Sequence, residues 1–338
     1  MSASRQVESR HTTAGDSLCE WREGVLALPD PFVLESGAVL RGARLAWQCA
    51  GPAQAPLVIV LGGISAHRRC CAADGRGWWE SQCGPGRALD TANYRLLGVD
   101  WLGGVDASTG PGSGTAGGDR DFPAIATSDQ ARALLLLLNR LSVRRVHLLV
   151  GASYGGAVSQ QLAALLGDRL RRLVLLSAAH RASQFGLALR HVQRAILDLG
   201  GNTREALALA RSLAVLGYRT PQGIEARFSD GAGADGVLGW LAHHGDSFAQ
   251  RFEPAAYRCL GASLDAHALD PASIRVPTTL LSVREDLLVP PSLLQEYAGR
   301  AGEACRLVEI SSAFGHDAFL KEEAAVAALL SDSLKAAA

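Results

Sequence analysis

Residues 146–156 have the sequence VHLLVGASYGG, in which an apolar run leads directly into a serine set between glycines. The apolar run predicts a buried strand, and residues 157–166, which follow the serine, predict a helix. A G-x-S-x-G motif between a strand and a helix is typical of a tight turn that exposes a nucleophilic serine. The chain contains 37 glycines, so the motif alone could occur by chance. The flanking strand and helix are what make Ser153 a candidate nucleophile.

Strand-like and helix-like segments alternate on both sides of this motif. Short apolar runs predict strands at residues 56–61, 94–99, 146–150, 173–176, 278–283 and 305–310, and helical patterns occupy 127–139, 157–166, 292–301 and 321–334. Strands that alternate with helices form parallel sheets, so we expect a mostly parallel sheet covered by helices. With the serine motif, this pattern predicts the α/β-hydrolase fold.

One long segment interrupts the alternation. Between residues 180 and 270 the strand signal disappears and helical patterns dominate, at 185–199, 204–216 and 246–260. We therefore predict a helical lid, residues 180–270, inserted into an α/β core made of residues 25–179 and 271–338. Residues 1–20 are predicted to be a disordered tail.

The composition limits the kinds of molecule that the chain is expected to bind. It carries 33 basic and 33 acidic residues, so no overall field attracts nucleic acid or an anionic membrane, and we expect a small-molecule partner. No run approaches the roughly 18–20 apolar residues of a membrane span, and residues 1–15 lack the apolar segment of a secretory signal. Seven cysteines, without a C-x-x-C pair, favour a reduced cytoplasm and no metal site.

Two residues late in the chain complete the chemistry of a nucleophilic serine. A serine hydroxyl needs an imidazole to accept its proton and a carboxylate to orient that imidazole, and this fold orders them serine, acid, histidine. His316 follows the last predicted strand and Asp286 follows the strand at 278–283, as that order requires. Glu285 is the alternative acid, and we predict Asp286 because aspartate is the commoner residue in this role.

Acyl transfer also requires backbone amides that stabilise the negative oxygen of a tetrahedral intermediate. One is expected to be the N–H of Tyr154, directly after Ser153. The second normally comes from the loop after an early core strand, here the sequence GGISA at residues 62–66. We predict the N–H of Ile64, with that of Gly63 as the alternative.

Further motifs form a recognisable set. They are Gly77-Trp78-Trp79, Ser108-Thr109-Gly110-Pro111, Val192-Gln193-Arg194-Ala195-Ile196, Tyr218-Arg219-Thr220 and Gly315-His316-Asp317-Ala318-Phe319-Leu320. Together with the serine motif, they resemble the homoserine O-acyltransferases, a family of α/β-hydrolase-fold enzymes of methionine biosynthesis. The resemblance extends over nearly the whole chain after the tail.

The resemblance implies a ping-pong reaction in which Ser153 takes an acyl group from acyl-CoA and passes it to the side-chain hydroxyl of L-homoserine. Acyl-CoA is then a co-substrate, and no bound cofactor is expected. By resemblance, Arg194 binds the carboxylate of the amino acid, Asp317 binds its ammonium group, and Tyr218 contacts the substrate. Arginine suits this role because its guanidinium offers two parallel donors to a carboxylate. The resemblance also implies a homodimer formed through the lid helices.

The acyl donor and the acceptor stay open at this point. Some succinyl-specific relatives carry an arginine two residues after the catalytic aspartate, where this chain has Leu288, and this favours acetyl. The loop at 62–66 and the compact lid resemble a subgroup associated with succinyl transfer, and Arg68, Arg69 or Arg181 can supply a cation for its carboxylate. We favour succinyl-CoA. The alternatives are O-acetyl transfer to homoserine or serine, and an esterase or peptidase that uses the same triad with water.

Overall fold

The computed structural model describes residues 9–11, 20–112, 122–229 and 233–337, with the backbone alone at 9–11 and 233–235. The strands are β1 (Ser9–His11), β2 (Trp21–Ala27), β3 (Phe32–Val33), β4 (Val39–Leu40), β5 (Arg44–Ala50), β6 (Leu57–Leu61), β7 (Arg95–Val99), β8 (Leu148–Ala152), β9 (Leu173–Leu176), β10 (Thr278–Val283) and β11 (Cys305–Ile310). The helices are α1 (Thr127–Arg140), α2 (Tyr154–Leu166), α3 (Gln184–Leu199), α4 (Arg204–Tyr218), α5 (Pro221–Phe228), α6 (Gly233–Ala249), α7 (Pro254–Asp265), α8 (Pro291–Ala301), α9 (Ala318–Lys321) and α10 (Glu323–Ala337).

The described strands form a nine-stranded sheet in the order β1-β2-β5-β7-β6-β8-β9-β10-β11, and β3 pairs separately with β4. The pairs from β1 to β7 are antiparallel, whereas all neighbours from β7 to β11 are parallel. The predicted mostly parallel sheet of the α/β-hydrolase fold is confirmed. Because the carboxyl ends of parallel strands meet at one edge, the loops after β6, β8, β10 and β11 converge there.

Helices cover both faces of this sheet. Every residue of β6, β8, β9 and β10 is buried, as expected for strands enclosed on two sides. Leu134 of α1, Leu162 of α2 and Leu294 of α8 belong to the core on one face, and Leu330 of α10 belongs to the core on the other. The sheet edge that carries the loops is thereby held between rigid layers.

Helices α3 to α7 lie between β9 and β10, within the predicted lid at residues 180–270. We call them the helical insertion; in it α4 packs against α3 and α6, and α3 packs against α7. The single helix predicted at 246–260 is wrong, because α6 ends at Ala249 and α7 begins at Pro254. Proline lacks the N–H of a helix interior and keeps the preceding Glu253 extended, so Pro254 starts a helix here.

Of the tail predicted at residues 1–20, only 9–11 and 20 fall within the described residues, and 9–11 form β1 beside β2. The rest of that prediction lies outside them. Across the described ranges, no helix is both long enough and apolar enough to cross a membrane.

Candidate active site

Ser153 lies in the turn between β8 and α2, at the carboxyl edge of the sheet. Its φ of 52° is a left-handed conformation that side-chain-bearing residues rarely adopt, and such strain is common at functional sites. The glycines around it are required sterically. A Cβ on Gly151 would lie 2.3 Å from Ser159 Oγ, and one on Gly155 would lie 2.3 Å from the carbonyl oxygen of Leu61. The G-x-S-x-G pattern therefore follows from the tightness of the turn.

The structure brings the three predicted triad residues into one hydrogen-bonded chain. Nε2 of His316 lies 2.9 Å from Oγ of Ser153, and its Nδ1 lies 2.7 Å from Oδ2 of Asp286. The other carboxylate oxygen of Asp286 accepts from the backbone N–H groups of Leu288 at 2.8 Å and Val289 at 2.9 Å. Asp286 is thus fixed at both oxygens, and it can hold the imidazole with Nε2 directed at the serine.

Glu285, the alternative acid, is occupied elsewhere. One of its oxygens accepts from Ser311 Oγ at 2.6 Å, and the other accepts from the backbone N–H of Ser312 at 2.8 Å. These serines begin the loop that leads from β11 to His316. Glu285 therefore anchors the loop that carries the histidine, and Asp286 is the acid that contacts it.

The environment of His316 adjusts its basicity. Burial of the imidazole acts to lower its pKa, but the negative charge and hydrogen bond of Asp286 outweigh this, so that the pKa is raised above its ordinary value. A raised pKa makes His316 a stronger acceptor for the Ser153 proton once the imidazole is neutral. This is the property that a general base beside a serine needs.

Ser153 and His316 open into a cavity of about 160 Å³, which we call the main cavity. Gly63 and Ile64 both line it together with Ser153, so the predicted loop lies beside the serine. Tyr154 begins α2, and the first N–H groups of a helix have no partner inside it. These placements suit the predicted pair of amide donors, Tyr154 with Ile64 or Gly63.

The side chain of Tyr154 makes structural contacts that are separate from the predicted role of its backbone amide. Its ring is fully buried, and its hydroxyl lies 2.9 Å from Ser263 Oγ and accepts from Gln130 Nε2 at 3.2 Å. Burial raises the pKa of this phenol, so it stays protonated. Because Ser263 belongs to α7 and Gln130 to α1, Tyr154 joins the helical insertion to the core at the residue next to Ser153.

Comparison with known proteins identifies the family. A family model described as alpha/beta hydrolase fold matches residues 56–323. The chain is 39% identical over 307 residues to the homoserine O-succinyltransferase of Xanthomonas campestris pv. campestris, covering 87% of this chain and 80% of that protein. The chain belongs to the homoserine O-acyltransferase family of α/β hydrolases. The predicted resemblance is therefore confirmed.

Acetyl-transferring members of the homoserine O-acyltransferase family are similar to the chain as well. The homoserine O-acetyltransferase of Thermus thermophilus is 36% identical over 269 residues, which are 73% of this chain and 69% of that protein. The crystal structure of homoserine O-acetyltransferase from Staphylococcus aureus superposes with a TM-score of 0.81 at 26% identity, covering 93% of this chain and 95% of that one. Family membership alone therefore leaves the acyl group open.

The residues that family resemblance assigned to the amino acid lie in the main cavity of this homoserine O-acyltransferase. Arg194, Tyr218 and Asp317 all line it together with Ser153. The ring centroid of Tyr218 lies 5.9 Å from that of His316. Asp317 is not free, because its Oδ2 lies 2.9 Å from Nε of Arg219. The structure thus places a cation, an anion and an aromatic ring in the same cavity as Ser153.

Sequence reasoning missed the carboxylate that accompanies Arg194. Its Nη1 lies 2.6 Å from Oδ2 of Asp265, and Arg190, one turn earlier on α3, pairs with the same aspartate. The spacing of Arg190 and Arg194 by four residues was a signal that both lie on one helix face. Asp265, at the end of α7, carried no comparable signal, because its partners come from a distant helix.

Arg211 is a further cavity residue that the sequence did not single out. Its guanidinium lies 5.0 Å from the ring centroid of Tyr218 and 4.7 Å from that of Phe248. Within the described part of the chain Arg211 makes no ion pair with a carboxylate, in contrast to Arg194. The positive charge of the main cavity therefore comes from Arg211 as well as from the two arginines of α3.

The cations proposed for a succinyl group differ in where they lie. Arg68 pairs with Asp100 at 2.6 Å and Arg69 with Glu23 at 2.9 Å, and neither lines a cavity beside Ser153. Arg181 lines a second, smaller cavity next to the triad. In the ranges that the structure describes, no group of three or more His, Cys, Asp or Glu residues has the arrangement of a metal site.

Proposed function

We propose that the protein is an acyl-CoA-dependent O-acyltransferase that acylates the side-chain hydroxyl of L-homoserine through an acyl-enzyme on Ser153. The observation that carries the proposal is the lining of the main cavity, where Ser153, Arg194 and Asp317 meet. A fixed cation and a fixed anion beside a nucleophile suit a zwitterionic acceptor better than they suit an apolar ester. Transfer to an amino acid is therefore favoured over hydrolysis.

In the first half-reaction, Oγ of Ser153 attacks the thioester carbonyl carbon while Nε2 of His316 accepts the hydroxyl proton. The C–O bond forms, and the carbonyl electron pair moves to the oxygen, which the amides of Tyr154 and Ile64 or Gly63 stabilise. The oxygen then re-forms the carbonyl, the C–S bond breaks, and the CoA sulfur leaves as a thiol with the proton from His316. Asp286 stays ionised and holds the imidazolium.

In the second half-reaction, L-homoserine occupies the space that CoA has left. His316 removes the proton from the side-chain hydroxyl, whose oxygen attacks the acyl carbon of the Ser153 ester. The new C–O bond forms, the bond to Oγ of Ser153 breaks, and His316 returns the proton to the serine. Arg194 binds the carboxylate of the acceptor, and Asp317 accepts hydrogen bonds from its ammonium group.

We propose succinyl-CoA as the preferred donor. The 39% identical relative is named for succinyl transfer, which supports this choice, and the 36% identical relative is named for acetyl transfer. The predicted homodimer and cytoplasmic location stay predictions.

A CoA-release assay tests the proposal. The purified protein is incubated with succinyl-CoA or acetyl-CoA, alone and with L-homoserine or L-serine, and free CoA and acylated amino acid are quantified. Release that depends on L-homoserine, with O-acylhomoserine as product, is the expected result. Equal release without an acceptor would instead show a hydrolase. Faster release with L-serine than with L-homoserine would show that L-serine is the preferred acceptor. Ser153→Ala serves as the control that should release no CoA.

A further inference from the structure

The second cavity, of about 40 Å³, meets the main cavity at the triad. Both are lined by Ser153, Arg190, Leu264, Leu288 and His316, and the second alone is also bordered by residues such as Ala157, Ser177 and Val289. A single water occupies about 10–15 Å³ of such a cavity. The second cavity therefore has room for a short chain of several heavy atoms attached to Ser153, and it is too small for CoA.

The lining of the second cavity is mainly apolar, and its two charged side chains, Arg181 and Arg190, each pair with a carboxylate that does not line it. Among its described lining residues there is no aspartate or glutamate, whereas Arg181, Arg190 and His267 contribute nitrogen groups. Arg181 is 42% exposed and pairs with Glu296 at 2.7 Å, outside the cavity lining. The main cavity, by contrast, includes Asp317. The smaller cavity thus suits an anion, and the larger one suits a zwitterion.

Ser177 lines this cavity and has a hydroxyl without a partner. The residue is fully buried, and its Oγ has no hydrogen-bond partner among the described residues. Its φ of 48° is left-handed, as at Ser153, although glycine adopts this conformation at less cost. A buried, unsatisfied hydroxyl on strained backbone beside a nucleophile is the combination expected of a ligand contact.

His267 adds a second unsatisfied group. Its Nδ1 lies 2.9 Å from Oγ1 of Thr127, which does not line the cavity, and its Nε2 has no partner among the described residues. Burial lowers the pKa of His267 to about 4, so the imidazole is neutral at physiological pH. When Thr127 donates to Nδ1, the proton lies on Nε2, and His267 can donate a hydrogen bond to an oxygen in the cavity.

A ping-pong reaction requires a separate space for the acyl group while the acceptor binds. L-homoserine must enter the main cavity while the acyl group is still attached to Ser153, so the acyl chain has to extend elsewhere. We propose that the second cavity holds the acyl chain of the acyl-enzyme, with a terminal carboxylate directed at Ser177, His267 and Arg181. This inference rests on the proposed function and names the donor as a dicarboxylic acyl-CoA such as succinyl-CoA. An acetyl group ends in a methyl and leaves these polar groups unsatisfied.

Single-turnover acylation separates the two donors before any acceptor is involved. The rate of CoA release per Ser153 is measured with succinyl-CoA and with acetyl-CoA, and the ratio of the two values of kcat/KM is compared among variants. Ser177→Ala and Arg181→Gln each should lower the succinyl-to-acetyl ratio about tenfold or more, because each removes a hydrogen bond to a charged group. Ser177→Gly is the second variant at the strained position, since glycine tolerates its backbone.

Matched controls are available for both positions. Ser282 is also fully buried with an unsatisfied hydroxyl, but it lines neither cavity, so Ser282→Ala should keep the ratio of the wild type. Arg300 lies 3.8 Å from Glu296, the carboxylate that Arg181 contacts, and it lines neither cavity. Arg300→Gln should likewise keep the ratio.

The outcomes distinguish the cavity assignment from the proposed function. A ratio that falls in the Ser177 and Arg181 variants and not in the controls supports the assignment. An unchanged ratio would overturn it. If activity with both donors falls equally, the residues have a structural role. A wild type that forms the acyl-enzyme but prefers acetyl-CoA would overturn the assignment and leave the acyltransferase intact. No acyl-enzyme from either donor would overturn both.

Discussion

Oδ2 of Asp286 lies 2.7 Å from Nδ1 of His316, so the loops after β10 and β11 meet at one hydrogen bond. Because the second oxygen of Asp286 is held by two backbone amides, this bond has little freedom to shift. It determines which imidazole nitrogen faces Ser153. It also sets the charge next to the imidazole, and therefore the pH at which His316 can act as a base.

The first prediction concerns the pH dependence of acylation. His316 must be neutral to accept the Ser153 proton, and its pKa is raised, so kcat/KM for acyl-CoA should fall as pH decreases through a value above the ordinary histidine pKa of about 6.5. In Asp286→Asn the raising charge is lost and burial lowers the pKa. The acidic limb should move to lower pH, and the rate should drop by roughly 10³- to 10⁴-fold. A limb that stays in place would show that another group titrates.

The second prediction separates Glu285 from its neighbour. Glu285→Ala removes the hydrogen bonds to Ser311 and Ser312 but leaves Asp286 on His316. We expect kcat/KM of Glu285→Ala to fall by less than about tenfold, because the loop that carries His316 is held less firmly. The loss of kcat/KM in Asp286→Ala should be at least about a hundredfold larger. Steady-state kinetics of both variants test this. Equal losses would mean that the acid role is shared.

The extent to which the sequence predicted this site follows from how local each signal is. The turn at Ser153 is encoded by glycines within a few residues, and the order of Asp286 and His316 follows from the strands that precede them. The ion pair of Arg194 with Asp265 joins α3 to α7, and no local pattern specifies that packing. The break at Pro254 did carry a local signal, since proline seldom continues a helix.

The third prediction tests the steric argument for the serine turn. A Cβ at Gly155 would lie 2.3 Å from a backbone oxygen, that of Leu61, which cannot rotate away. Gly155→Ala should therefore destabilise the protein by about 1–3 kcal/mol and displace Ser153, with loss of acylation. Gly299 is the matched control, because it lies in α8 with nothing near its Cβ position. Gly299→Ala should stabilise by about 0.5–1 kcal/mol. Thermal unfolding of both variants tests the contrast, and unchanged stability in Gly155→Ala would contradict it.

The fourth prediction concerns Arg194 and the acceptor. If its guanidinium binds the carboxylate of L-homoserine, Arg194→Ala should lower kcat/KM for homoserine about 10- to 100-fold, because a charge-assisted bidentate contact is lost. Formation of the acyl-enzyme should change much less, since that half-reaction precedes the acceptor. Arg194→Lys should recover only part of the loss, because an ammonium cannot form two parallel bonds to a carboxylate. Single-turnover acylation and steady-state kinetics with varied homoserine measure the two halves separately.

Arg211 provides the comparison for Arg194, because it lines the same cavity but contacts the rings of Tyr218 and Phe248 in place of a carboxylate. Arg211→Met keeps much of the side-chain volume and removes the charge. If Arg194 alone binds the acceptor carboxylate, Arg211→Met should raise the KM for homoserine less than Arg194→Ala does. A larger effect at Arg211 would mean that Arg211 binds the acceptor carboxylate and that Arg194 serves only as the partner of Asp265. Equal losses of acylation and transfer in Arg194→Ala would instead assign Arg194 to the architecture of α3 and α7.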